Sequence, residues 1–339
     1  MSRSVATRQA STFSPLSINS VHCGNCHTLL KSIDDDSIDV IITSPPYFQQ
    51  REYTGVGIGM EYSVVDYLDA LLESFVEMVR VIKPTGHILY NLGDKINGKK
   101  GTLLIPYQFA IAATNQCPKV SLLNHIVWMK TNPTPRQFTR RLVSCHEPFF
   151  HFVKSTDYYY CPEQFMAAPK QQKLIPPRNP GQAYFTKIAA SQLSPKEKKS
   201  AVRDLEAVIA EVKSGHIASF RMKIRGVHAP AFGGQEGGRN TQMQNRGYTI
   251  IRIHGNPMKK DALVFPVESI AGCPHPAVFP LSLIRELIKL SCPPGGIVLD
   301  PYCGSGTTLV AAKKERRNYV GIDIGAKYCA YARQRVKFA

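Results

Sequence analysis

Apolar and polar residues along this chain follow two periods in alternation. Apolar runs of strand length lie at about 18–23, 38–43, 87–92, 122–128, around 151–153, 297–300 and 318–324, bounded by Gly, Pro, Asn or Asp. Between them, apolar residues recur at steps of three and four. The clearest stripe is Leu68, Leu71, Leu72, Phe75, Met78, Val79 and Ile82, with Ser63 as cap, Asp66 three residues on, and Pro84 and Gly86 as the stop. Further helical patterns fall near 105–115, at 281–290, from Gly306 and at the end of the chain, with a short piece before residue 38. Seven strands alternating with helices predict an α/β fold with a doubly wound, mostly parallel sheet of Rossmann-like type.

From about 161 to 265 the alternation gives way to Lys, Arg, Gln, Asn, Gly and Pro. Ser194-Pro195-Lys196-Glu197 is a capping box, and Ala201, Val202, Leu205, Val208, Ile209 and Val212 form one stripe that ends at Gly215. The run FGGQEGGRNTQMQNRG at 232–247 reads either as a solvated loop or as a set of side chains suited to base edges. The sheet is therefore expected to form from both ends of the chain, with the polar middle as an insertion.

Composition changes this picture in three ways. The 339 residues are 43% hydrophobic, enough for a large core, while 42 Lys and Arg against 25 Asp and Glu leave a charge of +17 that favours a polyanionic partner such as nucleic acid. No apolar run approaches the roughly 18 residues of a membrane span, so a soluble protein without membrane attachment is expected. The start, MSRSVATRQASTFSPL, reads as a basic arm without a secretory apolar region. Nine scattered cysteines suit reduced thiols and a cytoplasmic setting. Cys23-Gly24-Asn25-Cys26-His27 matches a haem-attachment spacing, but it follows an apolar run as a strand end would, and Cys145-His146 and Cys273-x-His275 are only loose zinc candidates; no metal site is expected.

Val298-Leu299-Asp300-Pro301-Tyr302-Cys303-Gly304-Ser305-Gly306-Thr307-Thr308 puts a tight turn between an apolar strand and a helix. Gly304 and Gly306 lack the Cβ that would keep a ligand from the backbone, and Asp323, nineteen residues after Gly304, ends the next apolar run, where a carboxylate can accept from both hydroxyls of a ribose. The dinucleotide fingerprint asks for a third glycine where Leu309 stands. Asp300 at the mouth of the turn would repel a pyrophosphate and attract an amino group. S-adenosylmethionine, which carries no phosphate and two cationic groups, fits this loop better.

Together, Thr43-Ser44-Pro45-Pro46-Tyr47, the Asp300–Thr308 loop and Tyr319–Ile324 resemble the DNA amino-methyltransferases, and their order along the chain is that of the circularly permuted β class. The resemblance covers about 17–160 and 266–339. It implies a flexible basic arm at 1–16, a catalytic half at 17–160, a target-recognition insertion at 161–265 and a cofactor half at 266–339. It also implies that Asp300, Gly304 and Gly306 line the methionine end of the cofactor and Asp323 its ribose, with Pro301, Cys303, Thr307 and Thr308 also cofactor-binding. His275–Pro280, with Phe279, would flank the cofactor. Asn25 and Cys26 would lie beside adenine, with an Asn where relatives usually carry an acid. Trp128-x-Lys130-x-Asn132-Pro133 and Cys145–Phe149 look like family segments or like ordinary strand ends.

The amino nitrogen of cytosine or adenine is a poor nucleophile because its lone pair is delocalised into the ring. Ser44 Oγ and the main-chain carbonyl of Pro45, held in direction by the fixed φ of Pro45 and Pro46, would accept its two hydrogens, and Tyr47 would stack on a base flipped out of the duplex. Ser rather than Asp at the first position resembles cytosine-N4 enzymes more than adenine-N6 ones. A carbon-5 mechanism needs a cysteine nucleophile, typically after proline, and no Pro-Cys dipeptide occurs. Expected partners are double-stranded DNA, through Arg221, Arg225, Arg239, Asn240, Gln244 and Arg246, and a cognate restriction endonuclease. The protein would be a monomer or homodimer in a prokaryotic cytoplasm beside the nucleoid. Competing readings are methylation of RNA or protein amides, DNA binding without catalysis, and a nicotinamide dehydrogenase.

Overall fold

A computed structural model describes residues 16–50, 57–98, 101–133, 140–166, 181–228, 238–253 and 259–339. The chain forms two compact units, Met1–Met166 with Lys259–Ala339, and Ala167–Met258.

The first unit opens with β1 (Ser20–Cys23), α1 (Cys26–Leu30), β2 (Ile38–Thr43), α2 (Val64–Val81), β3 (Ile82–Asn91), α3 (Ile105–Gln116), β4 (Ser121–Lys130) and β5 (His146–Val153). The second unit holds α4 (Gln182–Ala190), α5 (Pro195–Lys213), β6 (Ser219–Ile224), α6 (Arg239–Arg246) and β7 (Tyr248–Ile253). The chain then returns to the first unit with β8 (Ala262–Phe265), α7 (Leu281–Ser291), β9 (Ile297–Asp300), α8 (Thr307–Lys314), β10 (Asn318–Asp323) and α9 (Ala326–Lys337).

The first unit is built on an eight-stranded sheet in the order β1-β10-β9-β2-β3-β5-β4-β8. Only β5 runs against the others, pairing antiparallel with β3 and β4. Residues from both ends of the chain meet at its centre, where Val40 and Ile41 of β2 face Val298 and Leu299 of β9. Every residue of β2 is buried, as the unbroken apolar run requires of a strand covered on both faces. Ile38 and Ile41 join one core layer with α1, α2 and α3, while Val40 and Ile42 join the other with α7 and α8. The sheet is thus the middle of three layers. Helix α2 begins at the expected cap, with Ser63 Oγ accepting from the Asp66 N–H at 3.1 Å.

The sheet has one strand more than the periodicity suggests. β8 is four residues long and lies at the sheet edge beside β4, too short for its apolar pattern to stand out. β5 starts five residues before the His-Phe-Val run, so it includes Glu147. α2 ends at Val81 and β3 follows at once, through Pro84 and Gly86. A Cβ at Gly86 would lie 2.8 Å from the Asp39 carbonyl, so glycine there lets β3 close onto β2.

Two histidines are sealed inside this sheet. His87 on β3 and His151 on β5 share a hydrogen bond of 2.8 Å between Nδ1 and Nε2, and both are fully buried. Burial pushes His87 down to about 4 and, with the neighbouring imidazole, His151 to about 3, so both are neutral near pH 7.

The second unit has its own core, in which Leu205, Val208 and Val212 of α5 pack with Met222, Ile224 and Tyr248 of an antiparallel β6–β7 pair. The capping box at Ser194 and Glu197 is formed in both directions. Residues 239–246, within the run read either as a solvated loop or as side chains suited to base edges, are the helix α6; its polar composition leaves only Met243 to bury, so no stripe marks it. Residues 1–15 of the N-terminal arm and residues 232–237 of the Gly-rich run lie outside the described residues.

Candidate active site

A cavity of about 390 Å³ opens in the first unit at the carboxyl ends of its parallel strands. It straddles the boundary between β9 and β2, where the strand order changes direction, the place where open α/β sheets bind ligands. The two sequence motifs meet there. Thr43 Oγ1, at the end of β2, donates to Asp300 Oδ1, at the end of β9, at 2.7 Å across 257 residues of chain.

One half of the cavity is formed by the ends of β1, β9 and β10. Asn25, Cys26, Phe279, Asp300, Pro301, Cys303, Gly304, Thr307, Thr308 and Asp323 all line it, together with His275 and Tyr328. Each Asp323 oxygen accepts one backbone N–H, from Gly304 and from Gly325, at 2.8 Å each, which fixes the carboxylate while leaving lone pairs toward the cavity. Burial raises its pKa, partly offset by those two N–H groups. Asp300 is more enclosed than the sequence suggests. It is 2% exposed, its Oδ1 is shared by Thr43 and the Tyr302 N–H, and burial pushes it up to about 6.

The two glycines serve the protein as much as a ligand. Gly304 and Gly306 adopt φ of +47° and +78°, and a Cβ on either would lie 2.8 Å from His275 Nε2 or Ala332 Cβ. Gly306 is the cap of α8 and does not line the cavity. Thr307 Oγ1 accepts from Arg335 at 3.0 Å, and Asn25 Oδ1 caps α1 by accepting from the His27 N–H at 2.9 Å. Cys26 is a buried thiol pushed up to about 11 by desolvation, and burial also raises Cys303 well above its ordinary value; both act as small walls.

The other half is formed by Ser44, Pro45, Pro46 and Tyr47 after β2, Asn91 of β3, Trp128 and Lys130 of β4, Glu147 of β5, and Val267. Pro46 is anchored through its carbonyl, which accepts from Tyr67 of α2 at 2.7 Å. Among the described residues no hydrogen bond falls on the Pro45 carbonyl. The Tyr47 ring lies against the backbone at Gly93, where a Cβ would come within 2.3 Å of Cε2. Its hydroxyl lies 2.7 Å from Asn91 Oδ1 and 3.1 Å from Glu147 Oε2, and it accepts from Ser44 Oγ at 3.3 Å. Glu147 Oε1 is ion-paired with Lys130, whose ammonium lies 4.9 Å from the centre of the Trp128 ring.

Asn91, Gly93, Lys130 and Glu147 were not singled out as site residues from sequence. Lys130 and Glu147 stand in segments that the resemblance marks, and Asn91 is a polar end to an apolar run, but only the sheet order shows that they meet Tyr47. Lys130 is the only Lys or Arg on the cavity wall among the described residues, and it is paired; the other half presents two carboxylates and no such cation. That donor set suits a ligand with ammonium and hydroxyl groups and disfavours a phosphate.

In the second unit, Arg221, Arg239, Gln244 and Arg246 are exposed and Asn240 is half-buried. Arg225 is paired within the fold: its Nη2 donates to both oxygens of Glu197, at 2.8 and 3.0 Å. Arg225 is also exposed, so this ion pair leaves the expectation of a DNA contact there open to test.

Comparison with known proteins agrees with this geometry. The type II methyltransferase M.SfiI of Streptomyces fimbriatus is 24% identical over 392 aligned residues, covering 96% of this chain and 91% of that protein. Among solved structures, the PvuII DNA methyltransferase, described as cytosine-N4-specific, matches with a TM-score of 0.54 at 17% identity over 95% of this chain and 87% of that one. M1.HpyAVI, solved as a complex with S-adenosylmethionine, matches with a TM-score of 0.51 at 18% identity over 94% and 98%. At these identities the structures show the shared fold. A family model described as DNA methylase, of the N6/N4 methyltransferase type, matches residues 38–334, and the chain belongs to that family.

Proposed function

We propose that this protein transfers a methyl group from S-adenosylmethionine to the exocyclic N4 amino group of a cytosine flipped out of duplex DNA. The observation that carries this reading is the single cavity shared by Ser44, Pro45 and Tyr47 with Asp300, Gly304 and Asp323. When bound, S-adenosylmethionine supplies an electrophilic methyl group on a sulfonium sulfur. Asp323 would hold the ribose hydroxyls, Asp300 and Gly304 would line the methionine end with Pro301, Cys303, Thr307 and Thr308 nearby, Asn25 and Cys26 would border the adenine, and Phe279 would flank the cofactor.

Ser44 Oγ and the Pro45 carbonyl accept the two amino hydrogens and draw the nitrogen lone pair out of the ring plane. Tyr47 stacks on the flipped base and offsets the lost stacking of the duplex. Serine at position 44, together with the likeness to the PvuII enzyme, supports cytosine over adenine. Arg221, Arg225, Arg239, Asn240, Gln244 and Arg246 of the insertion contact the DNA. The name of M.SfiI supports a restriction-modification setting with a cognate endonuclease in a bacterial cytoplasm; among the described residues no helix is long and apolar enough to cross a membrane.

The test has two parts. Calorimetry should detect S-adenosylmethionine and not NAD, and label from the methyl group should pass to duplex DNA and not to RNA. Binding of NAD alone, or transfer only to RNA, would overturn the reading.

A further inference from the structure

The hydrogen bonds around Tyr47 have a fixed direction. Asn91 is fully buried, and its Nδ2 donates to the Pro148 carbonyl at 2.9 Å, so its Oδ1 faces the Tyr47 hydroxyl as an acceptor. Glu147, with Lys130 on Oε1, presents Oε2 to the same hydroxyl, again as an acceptor. Both contacts run from the Tyr47 hydroxyl to an acceptor, so its proton lies on the side of Asn91 and Glu147. What Tyr47 shows to Ser44 is a lone pair, and Ser44 Oγ is accordingly the donor in the 3.3 Å contact between them.

The serine hydroxyl has one proton and two lone pairs, and which of these faces the cavity decides what it can do. A hydroxyl whose proton points into the cavity would meet an amino hydrogen with another hydrogen. A hydroxyl whose proton is drawn toward Tyr47 offers lone pairs instead. We infer that Asn91 and Glu147, acting through the Tyr47 hydroxyl, are positioning residues that turn the Ser44 proton away from the substrate and so make Ser44 an acceptor for the amino group. This gives Tyr47 a second role: its ring stacks, and its hydroxyl sets the polarity of its neighbour. Glu147 and Asn91 come from adjacent strands of the antiparallel β3–β5 pair, so the polarity of the serine depends on the one reversed strand of the sheet.

The inference rests on the proposed methyl transfer to DNA and is tested by a double-mutant cycle on the full chain. Tyr47→Phe keeps the ring and removes only the hydroxyl. Single-turnover methylation should slow about tenfold, the worth of one lost or reversed hydrogen bond, while the affinities for S-adenosylmethionine and DNA stay within twofold. In the Ser44→Ala background the same change should cost nothing further, because the hydroxyl acts through Ser44. Glu147→Gln, which places an amide where the acceptor stood, should slow turnover by a smaller factor, again only when Ser44 is present. Equal losses from Tyr47→Phe with and without Ser44, or a Tyr47→Phe loss that follows DNA affinity, would overturn the inference. Absence of methyl transfer by the unaltered chain, with S-adenosylmethionine still bound, would instead overturn the proposed function and the inference with it.

Discussion

The two halves of the cavity are built differently. The half at β1, β9 and β10 has a core that is local in sequence: the Asp300–Thr308 loop and Asp323 lie close together in the chain, joined by Asn25, Cys26 and the segment from His275 to Phe279, and backbone N–H groups orient its key carboxylate. The half around Tyr47 is assembled from β2, β3, β4 and β5, held by side chains 44 and 100 residues apart in the chain. The second works only once the sheet order is in place. Binding of the cofactor and activation of the base should therefore be separable by substitution.

The largest separation is expected from Ser44→Ala. Removing one preorganised polar group at a reacting centre costs about 100- to 1000-fold in turnover, and calorimetry should find S-adenosylmethionine affinity unchanged. Equal losses in both would erase the distinction between the halves. Asp323→Ala should give the reverse pattern, weakening S-adenosylmethionine about 10- to 100-fold through lost charged hydrogen bonds. Saturating cofactor should then restore most of the rate.

Acid should strain the assembled half first, because β3 and β5 carry both its tethers and the buried histidine pair. The folded-state pKa values of His87 and His151, about 4 and 3, lie below the ordinary 6.5. Between about pH 6.5 and 4 the unfolded chain takes up protons that the folded chain refuses, so stability falls as pH falls, by about 1.4 kcal/mol per pH unit for each histidine. Above pH 6.5 this contribution is constant. Urea midpoints from pH 8 to pH 5 would show a plateau and then a decline.

A smaller effect belongs to Gly93→Ala. The added methyl displaces the Tyr47 ring toward the cavity, and DNA should bind about fivefold more weakly, the cost of about 1 kcal/mol from disturbed stacking. Cofactor binding should not change, as fluorescence titration can check.

This contrast also explains what was legible in the sequence. β2, α2, β9 and β10 have strong periods and capping or turn residues at their ends, so they were read to within a residue or two. The Asp300–Thr308 loop and Asp323 were legible because their spacing is local. Glu147, Asn91 and Gly93 were not, since their importance comes from a strand order that no period encodes. Arg225 has a partner that no local pattern announces: Glu197 of the capping box, 28 residues earlier. The polar helix α6 and the edge strand β8 were missed because one buries almost nothing and the other is only four residues long.

Digestion of duplex DNA to nucleosides after labelled methyl transfer, with the unaltered chain and Ser44→Ala side by side, tests the account most directly. The account predicts label in N4-methylcytosine with the unaltered chain and at least 100-fold slower labelling with the variant. Label in N6-methyladenine or 5-methylcytosine, or labelling that does not depend on Ser44, would contradict it.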